Sequence, residues 1–257
     1  MKMLASDYDG TLYFEFGYRK TDLEAIRQFQ KEGNLFGLCS GRPLSNLWDL
    51  ESDELHFDFI IASSGACISR QPGSIVEEEF LPFEAFERIL RHCGPSHMVV
   101  VTKDTIFVDD LDCWAARNVA VHPVRLTSAD QIKEDIIQMS IERSTEQEAA
   151  VLLDELKELD LACSIFQNGA FLDIVAPDCS KGRGIGRLAR HLGLEEKDIA
   201  CIGDNFNDLP MIETIPDSFS FPYAPEKVQE KAGTIVDSIA QAIECLENEE
   251  DHESADQ

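Results

Sequence analysis

Nearly continuous apolar runs, separated by amphipathic stretches, set out the beginning and the end of the chain. Met3-Leu4-Ala5, Leu35-Phe36-Gly37-Leu38-Cys39, Phe57-Asp58-Phe59-Ile60-Ile61-Ala62 and Ile199-Ala200-Cys201-Ile202 read as strands buried on both faces, as in a parallel sheet. Between the first two runs, Tyr13–Gly17 predicts a short hairpin or flap. A helix follows, capped by Thr21 or Asp22 and running to Lys31, with Leu23, Ile26 and Phe29 on its apolar face and Gly33 as its stop. Pro43 can begin another helix, and two short strands flank Gln71-Pro72-Gly73. Towards the end, Ile185, Leu188, Ala189 and Leu192 share one helical face. A strand near Phe219, a helix after Pro225, a strand at 234–236 and a helix at 239–246 complete the pattern.

From about Leu81 to Ala176 the pattern changes. A helix at 83–92 leads to strands at 98–102 and 105–109, joined tightly at Lys103-Asp104. Then come a strand at 136–141, a helix at 145–159 with a capping-box-like start (Ser144, Gln147), and strands at 162–166 and 171–175. Hairpins and helices without strict alternation indicate an α+β module inserted into an α/β domain. The expected organisation is a discontinuous core, 1–81 and 177–246, an inserted module, 82–176, and an acidic tail without order, 247–257.

The formal charge of −27 argues against nucleic acid or an acidic membrane as partner. It would also repel a phosphorylated ligand at long range, so a phosphate site needs local positive charge from a metal, a lysine or helix N-termini. Eight cysteines are scattered without a CxxC pair, and several sit in apolar runs. Neither a disulfide framework nor a zinc site follows, and a reducing cytoplasm is the simpler expectation. No secretory leader or membrane-spanning run is apparent. The histidines lack ligand spacing, and Trp48 and Trp114 read as packing residues.

Candidate chemistry begins where the first strand ends, at Asp7-Tyr8-Asp9-Gly10-Thr11-Leu12. Two crowded carboxylates repel unless a cation lies between them or one is protonated. That favours a Mg2+ site with one acid as ligand and nucleophile and the other as proton carrier; a plain strand end followed by an acidic turn is the alternative. Ser40-Gly41-Arg42-Pro43 aims a hydroxyl and backbone N–H groups as an anion site would. Asp178-Cys179-Ser180-Lys181-Gly182 opens a helix, and Gly203-Asp204-Asn205-Phe206-Asn207-Asp208 closes a strand. Strand carboxyl ends in a parallel sheet share one edge, so these distant residues converge on one crevice. Taken singly, Asp9 and Thr11 could cap a turn, Lys181 could be solvated and Asp208 could cap a helix.

These four segments, in this order and with an insertion between the second and third, resemble the motifs of the haloacid dehalogenase superfamily, in its Cof-type, IIB-capped phosphatase branch. The resemblance implies a Rossmann-like core with an α+β cap of the C2B type. It implies Asp7 as a nucleophile forming an aspartyl-phosphate, and Asp9 as the acid for the leaving oxygen and then the base for water. Mg2+ would be held by Asp7, the Asp9 backbone carbonyl and Asp204, with Asp208 in the outer shell. Thr11, Ser40, Gly41, Lys181 and Asn207 would hold the phosphoryl group, and Arg42 the phosphate or the substrate. Two positions depart from the pattern: Ser64-Gly65 stands where the family usually has Asn-Gly, and Tyr223-Ala224 where Asn-Ala is common.

The expected activity is Mg2+-dependent hydrolysis of a small phosphate monoester, such as a sugar phosphate, by a cytoplasmic monomer or homodimer. A phosphoryl transferase of the phosphomutase kind, or a non-catalytic sensor of a phosphorylated ligand, would share the fold.

Overall fold

A computed structural model describes residues 1–94, 97–113, 117 and 122–255; Trp114 lies outside the described residues. Contacts divide the chain into two units, Met1–Ser40 with Glu51–Ile60 and Lys181–Gln257, and Gly41–Leu50 with Ile61–Ser180. The fold is α/β with a parallel-sheet core and an α+β cap.

In the first unit the strands lie in the order Thr234–Ile235, Asp217–Ser220, Ile199–Ile202, Met3–Ser6, Leu35–Cys39 and Phe59–Ala62, the last passing into the second unit at Ile61. Met3–Ser6 pairs in parallel with both neighbours, Ser6 lying level with Ile202 on one side and Leu38 on the other. The apolar runs are buried throughout at Met3–Ser6 and Ile199–Ile202, as sandwiched parallel strands must be. At Gly37 a Cβ would stand 2.2 Å from the carbonyl oxygen of Phe59, so only a residue without a side chain lets these strands approach.

The Tyr13–Phe14 and Gly17–Tyr18 hairpin forms as expected. The helix after it runs Lys20–Lys31, but neither Thr21 nor Asp22 caps it; Arg19 holds the N-cap position without a side-chain bond. Asp22 is fully buried inside the first turn. Its Oδ1 accepts the N–H of Ala240 at 3.0 Å, at the start of the helix Ile239–Ala255, where a carboxylate suits the positive end of the helix dipole. Residues 247–255, expected to form a tail, continue that helix; the segment is rich in Glu, a good helix former, and has neither Gly nor Pro to stop it. Pro43 precedes only two short 3-10 turns, Leu44–Asn46 and Trp48–Leu50.

The second unit holds the antiparallel hairpin Cys67–Gln71 and Ser74–Glu78 and a separate sheet. That sheet has the order Val124–Arg125, Ile106–Val108, Met98–Thr102, Ile136–Glu142, Phe171–Val175, Ser164–Asn168. Alternation sorts its faces: Met98 and Val100 pack with Phe86, Ile89, Leu152 and Leu156 of the helices Phe83–Cys93 and Glu146–Glu158, while Val99 and Val101 pack on the other side with Ile106 and Val108. The second helix is capped one residue later than its sequence suggested. Thr145 Oγ1 accepts the Glu148 N–H, and Glu148 Oε2 accepts that of Ser144. The pair Val124–Arg125 was not foreseen, since two exposed residues carry no alternation. All eight cysteines are free thiols.

Candidate active site

Parallel register brings the first acids together. With Ser6 level with Ile202, the next residue on each strand starts a loop at the same sheet edge, and the Asp7 N–H donates to the Ile202 carbonyl at 2.9 Å. Asp7 and Asp208 are buried and Asp204 is partly so; one carboxylate oxygen from each lies within 4.8 Å of the others.

Lys181 enters from the helix Lys181–Leu192, whose start packs closely because Gly182 has no side chain: a Cβ there would lie 2.1 Å from Thr214 Oγ1 and 2.3 Å from the Pro210 carbonyl. The Lys181 side chain is fully buried, and its ammonium donates to Asp7 Oδ1 at 2.6 Å and Asp208 Oδ1 at 2.5 Å. Asp208 Oδ2 accepts the N–H groups of Asp204 and Asn205 at 2.9 and 3.0 Å. One carboxylate thus aims the ammonium and shapes the loop carrying the next acid, as the N3 member of a capping box on Asn205.

Three carboxylates against one ammonium leave two uncompensated charges in a buried cluster (3 − 1 = 2). Each carboxylate pair at such spacing repels by about 3–4 kcal/mol at an effective dielectric near 20, more than a typical hydrogen bond recovers. The protons respond accordingly. Burial, then the neighbouring Asp208, push the Asp7 carboxyl up to about 8, against the pull of Lys181. Burial lifts Asp204 to about 6, though the hydrogen bond from Thr11 opposes it. Burial works against the Lys181 charge, but Asp208 and Asp7 outweigh it and keep the ammonium protonated. A cluster of hard oxygen donors short of two positive charges fits a divalent cation such as Mg2+.

Around this centre, Thr11 Oγ1 donates to Asp204 Oδ1 at 2.7 Å. Gly10, with φ of +85°, lies so close to Asp204 that a Cβ would stand 2.7 Å from its Oδ2. Asp9 is exposed on the turn and near enough to Asp204 to raise its pKa. Asn207 is half-buried in the Asp204 loop, and Ser40 is buried one residue past the strand Leu35–Cys39. Gly41 and Arg42 belong to the second unit, where the Gly41 carbonyl accepts from Gln138 Nε2 at 3.0 Å.

A family profile described as haloacid dehalogenase-like hydrolase matches residues 4–242. The chain belongs to the haloacid dehalogenase-like hydrolases. Among curated relatives, "Putative phosphatase YxeH" of Bacillus subtilis is 26% identical over 230 residues, covering 82% of this chain and 84% of that protein. The HMP-PP phosphatase of Yersinia enterocolitica is 24% identical over 221 residues, 83% of this chain and 81% of the relative. Among solved structures, the subclass IIB sugar phosphatase BT4131 shares the fold with a TM-score of 0.77 at 22% identity, over 96% of this chain and 98% of that one. The chain is thus an enzyme of the Cof-type phosphatase branch of the haloacid dehalogenase superfamily. None of its described helices is long and apolar enough to cross a membrane.

Both departures from the usual motifs have structural counterparts. Ser63 and Ser64 each adopt φ of +50°, a left-handed conformation that Asn tolerates better than Ser. Tyr223, absent from the sequence-derived site, donates its hydroxyl to the Gly10 carbonyl at 2.7 Å. Only its unusual identity marked it beforehand; the contact spans 213 positions.

The proton-holding acids of this haloacid dehalogenase-like hydrolase predict how its metal-free stability depends on pH. Asp7 and Asp204 keep protons up to about 8 and 6, whereas the unfolded chain releases them near 3.8. Between these values the native state binds more protons than the unfolded one, so stability falls as pH rises. Lys181 stays protonated over this range and adds no slope. In chelator, the melting temperature should drop from pH 5 to pH 8, and Mg2+ at pH 8 should restore it. Asp7→Asn should remove most of the slope in a fluorimetric pH series; an equally steep slope in that variant would refute the assignment.

Proposed function

We propose that this protein is a Mg2+-dependent phosphomonoesterase acting on a small phosphorylated metabolite through an aspartyl-phosphate on Asp7. The observation that carries this reading is the buried Lys181 ammonium between Asp7 and Asp208, with Asp204 in reach of the same point. Such a cluster has no use as packing: a hydrophobic replacement would be at least as stable as a buried charge network.

In this reading Asp7 and Asp204, with the Asp9 backbone carbonyl, would hold the cation. Asp208, both of whose oxygens already accept protein hydrogens, would act from outside that shell. The cation would supply charge to offset the phosphoryl dianion and to keep Asp7 ionised. An Asp7 carboxylate oxygen attacks phosphorus and the ester oxygen leaves with a proton from Asp9; Asp9 then takes a proton from the water that cleaves the acyl phosphate. Lys181, with Ser40, Gly41, Asn207 and Thr11, would neutralise or orient the phosphoryl oxygens, and Arg42 the phosphate or the rest of the substrate. Residues 82–176 are read as the module that selects substrate; their own hydrophobic core supports treating them as a separate element.

The test is a panel of phosphorylated metabolites assayed with Mg2+ and with chelator. Release of inorganic phosphate only with the metal is expected. An isomerised ester in place of free phosphate would point instead to a phosphomutase, and binding of a phosphate analogue without turnover of any ester to a sensor.

A further inference from the structure

A general acid works only if its proton is held within about 2.6–3.2 Å of the leaving oxygen. Asp9 sits on an exposed turn, so something must hold that turn. Part of the hold is local. The Gly10 N–H donates to the Tyr13 carbonyl at 2.9 Å, and the Leu12 and Tyr13 N–H groups donate to that of Tyr8 at 3.1 and 2.8 Å. Tyr8 stacks on Tyr13 with ring centres 5.4 Å apart, and Thr11 is tied to Asp204.

The carbonyl of Gly10, the residue directly after Asp9, is held from elsewhere, by the Tyr223 hydroxyl. The Tyr223 ring is itself fixed. It stacks on Phe221 at 4.8 Å and 12°, it meets Phe14 of the hairpin edge-on at 6.3 Å, and Phe221 is fully buried. Tyr223 is half-exposed despite these two ring contacts, which limits what its burial adds to stability. A rigid ring that delivers one hydroxyl to one carbonyl suits positioning.

We infer that Tyr223 is a positioning residue for proton transfer to the leaving group: it pins the Gly10 peptide and thereby sets where the Asp9 carboxyl points. The inference rests on the phosphatase reading above and assigns a role within it that the Asn common at this position would have to fill differently.

Leaving-group dependence is the readout that a merely structural role would not move. p-Nitrophenolate departs without a proton, whereas an alkoxide needs one. For Tyr223→Phe, kcat/KM towards an alkyl phosphate should fall about 10–100-fold, a fraction of what general acid catalysis supplies, while that towards p-nitrophenyl phosphate stays within about threefold. In an Asp9→Asn background, adding Tyr223→Phe should change this ratio by less than about twofold, because the two residues act as one unit. Hydrogen–deuterium exchange of the peptide covering residues 8–13 should speed up in Tyr223→Phe while the strand Ile199–Ile202 stays protected. Tyr223→Leu, lacking ring and hydroxyl alike, should reproduce the change in ratio. Equal losses on both esters, or unchanged kinetics and exchange, would overturn the inference. A wild-type protein without Mg2+-dependent phosphatase activity would instead remove the reading on which it rests, and the exchange experiment would still report whether Tyr223 holds the turn.

Discussion

Asp7→Asn should leave a folded protein whose phosphatase turnover is lower by about 10^4-fold or more, the scale on which loss of an enzymic nucleophile is felt. The substitution is nearly isosteric, and the Asn carbonyl oxygen can still accept from Lys181, so the loss is one of chemistry. It also removes an acid that burial and Asp208 push up to about 8. The metal-free variant should therefore melt no lower than wild type at pH 8. Rapid quench with radiolabelled substrate should trap a phosphorylated wild-type chain and none in the variant. Retention of more than about one per cent of activity, or a labelled variant, would show that the nucleophile lies elsewhere.

The second large effect should come from Lys181→Met. The side chain is 1% exposed and its ammonium is shared by two carboxylates, so an apolar replacement strands both. Removing one partner of a buried charge network costs about 3–5 kcal/mol, which for a chain of this size corresponds to a melting temperature lower by roughly 10 °C. Activity should fall by about 10^2–10^3-fold or more, the cost of losing one donor aimed at developing charge. Lys181→Arg should not rescue it. A planar guanidinium cannot place one compact charge 2.6 Å from Asp7 and 2.5 Å from Asp208. Near-normal activity in the arginine variant would mean that charge alone, and not its placement, is what the site needs.

Much of this arrangement is legible in the amino-acid sequence, for a definite reason. Strands buried on both faces must be apolar throughout, so Met3–Ser6, Leu35–Cys39 and Ile199–Ile202 stand out, and parallel pairing leaves little choice about where their ends meet. Asp7, Asp204 and Asp208 follow from those ends, and Lys181 from a helix start. What stayed hidden are contacts whose two halves lie far apart in the chain. Asp22 looks like the cap of its own helix but serves the helix beginning 217 residues after it (239 − 22 = 217). Thr11 reads as a turn residue, and its hydroxyl goes to Asp204. The Tyr223 hydroxyl has no local partner to betray it. Capping statistics describe near neighbours, and these bonds are made by tertiary packing.

Because the strand Met3–Ser6 lies between Leu35–Cys39 and Ile199–Ile202, the order of synthesis matters. At about 5–20 residues per second, the acid at position 7 is made some 10–40 s before its flanking strand and its lysine have both been made. During that interval the strand Met3–Ser6 lacks its partner on the Ile199–Ile202 side. The inserted sheet with its two helices carries a hydrophobic core of its own and is complete by Val175. It can therefore condense before the last strands of the parallel sheet have been made.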